Sequence, residues 1–193
     1  MNIVHFEVIP LNPTATSKEE ILTACRELIR SQGGGALNVR QVAAACGVSV
    51  GTVYNYFGSK AELAAAAVES LWHDIFRCED GSFSSAADCI AWLFERLEYG
   101  NRQYPGFFAL HSAAFAATGK PDGKARMTET WTHMTDMLCA VLRQDPRARP
   151  DAFDEDFTPE ALADLLFSLL LAAQLRNCYD PAPALRLLRR LLY

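Results

Sequence analysis

Within the 193-residue sequence, the stretch after Ser49 sets hydroxyl, amide and ammonium groups close together: Thr52, Tyr54, Asn55, Tyr56 and Lys60. Hydroxyls and an ammonium group donate to phosphate oxygens, and an asparagine amide can pair bidentately with the edge of adenine. Between Glu27 and Glu62 there is no acidic residue, while Arg30, Arg40 and Lys60 are basic, so this stretch is locally cationic in a chain of net charge -5. Contact with a nucleic acid is the chemistry these residues support. Bond-making chemistry has no comparable signal: there is no nucleophile elbow, no HExxH, no dinucleotide-binding glycine pattern and no evident carboxylate pair. No catalytic residue is expected, and the chain is read as a non-enzyme. The six cysteines are far apart, without a Cys-x-x-Cys or a histidine pair at ligand spacing, so neither a metal, a cofactor nor a disulfide scaffold is expected.

The elements that must position these groups are two short helices. Residues 39–58, VRQVAAACGVSVGTVYNYFG, put the small Ala43 where two helices cross, Gly47 at the turn, and Val42, Cys46, Val48 and Val53 at inward positions. That arrangement is a helix-turn-helix. Neither helix is long enough to stand alone, so both must pack on a first helix and on the start of a fourth. Three S/N-x-x-E/Q capping boxes mark starts: Ser17 with Glu20, Asn38 with Gln41, and Ser59 with Glu62. After the first, Ile21, Ala24, Cys25, Leu28 and Ile29 form one apolar stripe, which the glycines at 33–35 end. The periodicity predicts nine helices, the last eight over 39–46, 50–57, 60–77, 84–102, 105–118, 121–144, 158–178 and 182–192. The class is all-α.

The run GVSVGTVYNYFGSKAEL resembles the DNA-binding signature of TetR-type transcriptional regulators, and the helix of small residues before it matches as well. The resemblance is specific over about residues 17–76 and architectural beyond. It implies a homodimeric, nine-helix, bacterial cytoplasmic regulator that binds double-stranded operator DNA with its first three helices and a small-molecule effector with the rest. Carried over by position, Thr52, Tyr54, Tyr56 and Lys60 match phosphate-contacting sites, and Arg40, Val50, Gly51 and Asn55 match sites facing base edges. At Val50 the family more often has a polar or basic side chain, and no basic arm precedes Ser17.

The expected division is a tail over 1–16, a helix-turn-helix DNA-binding domain over 17–59, and a ligand-binding and dimerisation domain over 60–193. In the last of these, Trp92, Tyr99, Phe108, His111, Phe115, Trp131 and Met134 are candidates for an apolar effector pocket. His111 and His133 read as structural rather than as metal ligands. The helix over 158–178 is apolar around nearly its whole circumference, which requires burial on two sides. Leu165, Leu166, Leu169, Leu170 and Ala173, with Leu188 of the last helix, are therefore expected at a dimer interface. Leu71, Trp72, Ile75 and Phe76 should join the fourth helix to the C-terminal part as a rigid lever. No segment has the roughly 20 apolar residues of a membrane span, and the start of the chain does not read as a leader. The function expected is a repressor released by its effector; the alternative is a helical protein-interaction module that has lost DNA binding.

Overall fold

Small polar side chains set the helix starts by accepting from backbone N–H groups that have no partner within the helix. The computed structural model describes residues 16–34, 37–77, 83–108 and 121–193, of which 121–130 are described by backbone alone. Its helices are α1 (Lys18–Gln32), α2 (Val39–Ala45), α3 (Val50–Phe57), α4 (Lys60–Ile75), α5 (Ala86–Gln103), α6 (Pro121–Gln144), α7 (Pro159–Arg176) and α8 (Ala182–Leu192). No strand occurs among the described residues. Of the nine predicted helices, the one over 105–118 lies mostly outside the described residues, as do the N-terminal segment to residue 15 and Cys78.

The Ser17–Glu20 box is complete: Glu20 N donates to Ser17 Oγ at 3.1 Å, and Ser17 N to Glu20 Oε2 at 2.7 Å. Ser59 Oγ accepts from Glu62 N at 3.1 Å. The box predicted at Asn38 does not form. Asn38 Oδ1 accepts from Arg40 N at 2.9 Å, one residue earlier than a box requires, and the Gln41 amide turns to Gln32 at 3.5 Å. An asparagine side chain reaches the second backbone N–H of a helix as readily as the third, so the sequence pattern alone could not separate the two.

Two buried clusters organise the chain. The first gathers Ile21, Cys25 and Ile29 of α1, Val39, Val42 and Ala43 of α2, Val53 and Phe57 of α3, and the inner face of α4 from Leu63 to Ile75. The second lies among α5, α6, α7 and α8, with Leu93, Leu138, Leu162, Leu166 and Leu188 near its centre. Trp72, Phe76 and Phe108 pack against both. The end of α4 is also held by polar contacts from α5 and its C-cap. Arg96 donates to the carbonyls of Ile75 and Asp74, where the negative end of a helix favours a cation, and its guanidinium stacks 4.0 Å from the Tyr99 ring centre. The Tyr104 hydroxyl donates to Asp74 at 2.6 Å.

The predicted interface residues divide. Leu166, Leu170, Ala173 and Leu188 are buried in the chain's own second cluster, so they have no surface to offer another molecule. Leu165 is 43% exposed, and Leu169 is half-buried. The apolar circumference of α7 therefore serves the internal core over more than half its width. The outward stripe is Leu165, Leu169, Ala172 and Leu175, the last 85% exposed.

Candidate nucleic-acid interface

The turn between α2 and α3 depends on backbone conformation more than on packing. Gly47 has φ +64°, and a β-carbon placed on it would meet nothing within 4 Å. Glycine is needed there for its left-handed conformation, not for space. Val48 N then bonds to the Ala43 carbonyl at 2.9 Å, which closes the turn. Val42, Val53 and Ala43 are buried at the crossing, while Cys46 and Val48 are half-buried beside them. Ala43 and the four predicted inward positions thus face the crossing.

With Val53 and Phe57 turned inward, α3 presents its opposite face to solvent. Gly51 and Asn55 are exposed, Tyr54 is 37% and Tyr56 43% exposed, and Val50 and Thr52 are half-buried. The helix N-terminus, which carries the positive end of the helix dipole, is capped by Ser49: its Oγ accepts from Thr52 N at 3.0 Å and lies 2.9 Å from the Thr52 hydroxyl. Arg40 at the start of α2 and Lys60 at the start of α4 are both exposed, and neither has an ion-pair partner among the described residues. Arg30, the third basic residue of this stretch, is paired with Glu27. The Tyr54 hydroxyl and the Asn55 amide have no hydrogen-bond partner among the described residues, so both are available to an outside molecule.

Tyr56 differs from its neighbours. Its hydroxyl donates to the backbone carbonyl of Thr16, which ties α3 to the chain just before α1. Beside it, Lys18 lies 5.7 Å from the centre of the Phe57 ring. A phenol has one proton to give, so the hydroxyl predicted to serve a phosphate is committed within the chain.

The thiols near the site are held protonated. Burial pushes Cys25 up to about 12, with Cys46 adding to the shift and Arg26 opposing it. Cys46 is raised by burial first and by the Glu20 carboxylate second. Neither has the thiolate character of a reactive cysteine. Among the described residues, no group of three or more His, Cys, Asp or Glu could hold a metal ion.

The described effector candidates fall in two aromatic groups. Trp92 sits between Phe76 and Phe83, with ring centres 6.0 and 5.3 Å away. Phe108 packs on Trp72 at 5.6 Å and Phe107 at 4.8 Å, and Tyr99 lies beneath Arg96. Trp131 instead meets Phe167 of α7 at 5.9 Å, and Met134 is half-buried on the same helix, packed against the second cluster. His111 and Phe115 lie outside the described residues. A cleft of about 550 Å³ is found elsewhere, along α1 and the end of α2, lined among others by Thr16, Glu20, Ala24, Leu28, Ala45 and Cys46. The sequence reading missed it, although Glu20, Ala24 and Leu28 stand at four-residue intervals and so share one helix face.

A solvent-facing second helix, fixed by a glycine turn and free of acidic side chains, on a body of helices, defines a helix-turn-helix protein. Residues 21–67 match the family described as "Bacterial regulatory proteins, tetR family". No curated protein matches the chain. Among solved structures, it is similar to a transcriptional regulator from Rhodococcus sp. Rha1, with 26% identity, 86% of each chain covered and a TM-score of 0.56. It is also similar to the multidrug binding protein EbrR complexed with imidazole, at 20% identity and a TM-score of 0.57, covering 91% of this chain and 89% of that one. BioQ with its natural double-stranded DNA operator matches at 18% identity and a TM-score of 0.58, with 91% of this chain and 97% of that one covered. These last two likenesses are of fold. No helix among the described residues is long and apolar enough to cross a membrane.

Proposed function

We propose that the protein is a cytoplasmic, non-catalytic transcriptional repressor that binds a palindromic operator as a homodimer and leaves it when a small molecule binds the C-terminal helices. The observation that carries this reading is the outer face of α3: Tyr54 and Asn55 unpartnered and Arg40 and Lys60 unpaired among the described residues, with no acidic residue between Glu27 and Glu62. Thr52, Tyr54 and Lys60 then hold phosphates, Arg40 and Asn55 meet base edges, and Val50 offers a surface for a thymine methyl. Gly51 fits the same picture. A β-carbon there would find Ser49 Oγ at 3.6 Å, an ordinary contact, so nothing among the described residues excludes alanine. Glycine costs a helix about 1 kcal/mol relative to alanine, and a bare backbone lets a base edge approach closely.

One helix-turn-helix reaches one half-site, and two half-sites about 34 to 36 Å apart need two copies. Residues 17–59 would then form the DNA-binding domain and 60–193 the sensing and pairing domain. The BioQ operator complex and the EbrR imidazole complex support the two halves of this reading, since each shows one of them in a protein of the same fold.

The test is a fluorescence-anisotropy titration with the DNA upstream of the protein's own gene at moderate salt. Specific binding is expected. Asn55→Ala should cost about 1 to 3 kcal/mol at one base pair per half-site, and Lys60→Ala should weaken all sequences alike. Absence of specific binding would leave the exposed α3 as a surface for another protein.

A further inference from the structure

The turn that follows α5, Tyr104 to Phe107, links the two buried clusters by a route other than α4. It leaves a helix whose buried side chains belong to the second cluster, yet Tyr104 and Phe107 are themselves buried in the first. Phe107 N donates to the Tyr104 carbonyl at 3.0 Å, with Pro105 in second place and Gly106, at φ +75°, in third, the sequence and bond of a type II turn. The Pro105 carbonyl takes no part in that bond. It accepts instead from Gly34 N at 2.8 Å, in the connection between α1 and α2.

Both sides of this contact need bare backbone. A β-carbon at Gly106 would stand 3.3 Å from Gly34 N, and one at Gly33, where φ is +83°, would stand 3.3 Å from the Pro105 oxygen. The same turn reaches the end of α4, where the Tyr104 hydroxyl donates to Asp74 at 2.6 Å and the Phe107 ring meets Trp72 edge-on. α1 and α4 are in turn tied to each other through Arg26, which donates to the Ser70 hydroxyl. The helix-turn-helix is therefore held to the C-terminal helices at the end of α1 as well as through α4. A single joint at the end of an element can act as a hinge, and a second attachment removes that rotation.

We infer that the turn Tyr104–Phe107 clasps the α1–α2 connection and, by fixing the tilt of α3 on the body of each copy, sets the spacing between half-sites that the dimer accepts. This rests on the dimeric operator reading proposed above and adds what determines the geometry of that operator. Gly34 shortly precedes Val39, where α2 starts, so a shift at the clasp passes directly to the helix-turn-helix. One base pair added between half-sites moves the second by about 3.4 Å and turns it by about 35° around the DNA axis. Two firmly held recognition helices cannot follow that change, whereas loosely held ones can. None of the clasp residues lies on α3, so they are positioning residues that act on the reading side chains from behind.

The test compares three duplexes made from the upstream DNA: the natural spacing, and the same half-sites with one base pair inserted or deleted between them. Wild type should bind both altered duplexes at least about tenfold more weakly than the natural one. Gly106→Ala strains the turn and crowds Gly34, and it should bind all three within about threefold of one another, with affinity for a single half-site within about twofold of wild type. Half-site binding also checks that the helix-turn-helix remains folded. If Gly106→Ala fails that check, Tyr104→Phe replaces it, keeping the ring and removing only the bond to Asp74, and discrimination between wild type and Gly106→Ala is then expected. Amide hydrogen exchange reads the clasp without DNA: the Gly34 N–H should be protected in wild type and exchange about tenfold faster in Gly106→Ala. Unchanged spacing discrimination in a folded variant, wild-type binding indifferent to spacing, or a Gly34 amide that exchanges freely in wild type would overturn the inference while leaving the operator reading intact. Absence of specific wild-type binding at every spacing would overturn both.

Discussion

Ile75 of α4 lies against the bare α-carbon of Gly100 on α5: a β-carbon at 100 would stand 2.7 Å from Ile75 Cδ1 and 3.0 Å from its Cγ1. Ile75 is fully buried and β-branched, so its side chain has little freedom to swing aside. Gly100→Ala gains about 1 kcal/mol of helix propensity, but overpacking a filled core costs about 1 to 3 kcal/mol. The expected result is a melting temperature lowered by about 2 to 4 °C, measured by calorimetry. Adding Ile75→Val, which removes Cδ1, should restore most of it. A melting temperature raised by Gly100→Ala alone would mean that the two helices separate freely at this point.

The two exposed tyrosines of α3 should respond in opposite ways. Tyr56→Phe removes the bond to the Thr16 carbonyl and is expected to cost about 0.5 to 1.5 kcal/mol of stability, leaving operator affinity within about twofold. Tyr54→Phe removes a hydroxyl with no partner among the described residues, so stability should hold while affinity falls on every sequence alike. Paired melting curves and anisotropy titrations distinguish them, and equal behaviour of the two variants would refute the assignment.

On α7, Leu165 and Leu169 face outward whereas Leu170 is buried. Replacing both Leu165 and Leu169 by Arg should give a folded monomer in sedimentation, because each charge can reach water once the copies part. Leu170→Arg should instead lower the stability of the chain itself, since a charge placed in the second cluster has no partner. A dimer that survives the double replacement would move the pairing surface off α7.

Asp145 joins its own turn to the start of α5 and to Tyr193: it accepts from Arg147 N at 2.9 Å, from Ala86 N at 2.7 Å and from the Tyr193 hydroxyl. Burial pushes its carboxyl up, but these hydrogen bonds outweigh burial and hold it below its ordinary value of 3.8. A carboxylate lowered in the folded state contributes stability that is present above its unfolded value and lost as pH falls through the folded one. Asp145→Asn turns an amide N–H₂ toward donors and should cost about 1 to 3 kcal/mol near neutral pH. Denaturant melts at a series of pH values should show this gap closing below pH about 4. A gap of constant size down to pH 2 would show that the charge is not what matters.

The helix-turn-helix was legible because each of its positions has a local reason: a small residue at the crossing, a glycine needing positive φ, serine caps and alternating burial. Helix ends were legible within one or two residues at α2, α3, α6 and α8 for the same reason. What local pattern could not show was which of two buried faces meets the same chain. Leu165 and Leu166 are alike as residues, yet one is 43% exposed and the other 1%. Tyr54 and Tyr56 pose the same difficulty, since only the position of Thr16 in space tells that one hydroxyl is already committed. The ring partners of Phe108, Trp92 and Trp131 were not legible either, because Trp72, Phe76 and Phe167 come from other helices.

Trp72, Phe76 and Phe108 belong to both buried clusters, and this sharing has a spectroscopic consequence. The indole of Trp72 meets Phe107 edge-on at 5.1 Å and stacks on Phe76 at 5.4 Å. Any rearrangement that slides one cluster over the other must change the environment of that ring. The protein thus carries a native fluorophore at its joint, and the emission of Trp72, isolated by replacing Trp92 and Trp131 with phenylalanine, can follow communication between the two units without a label.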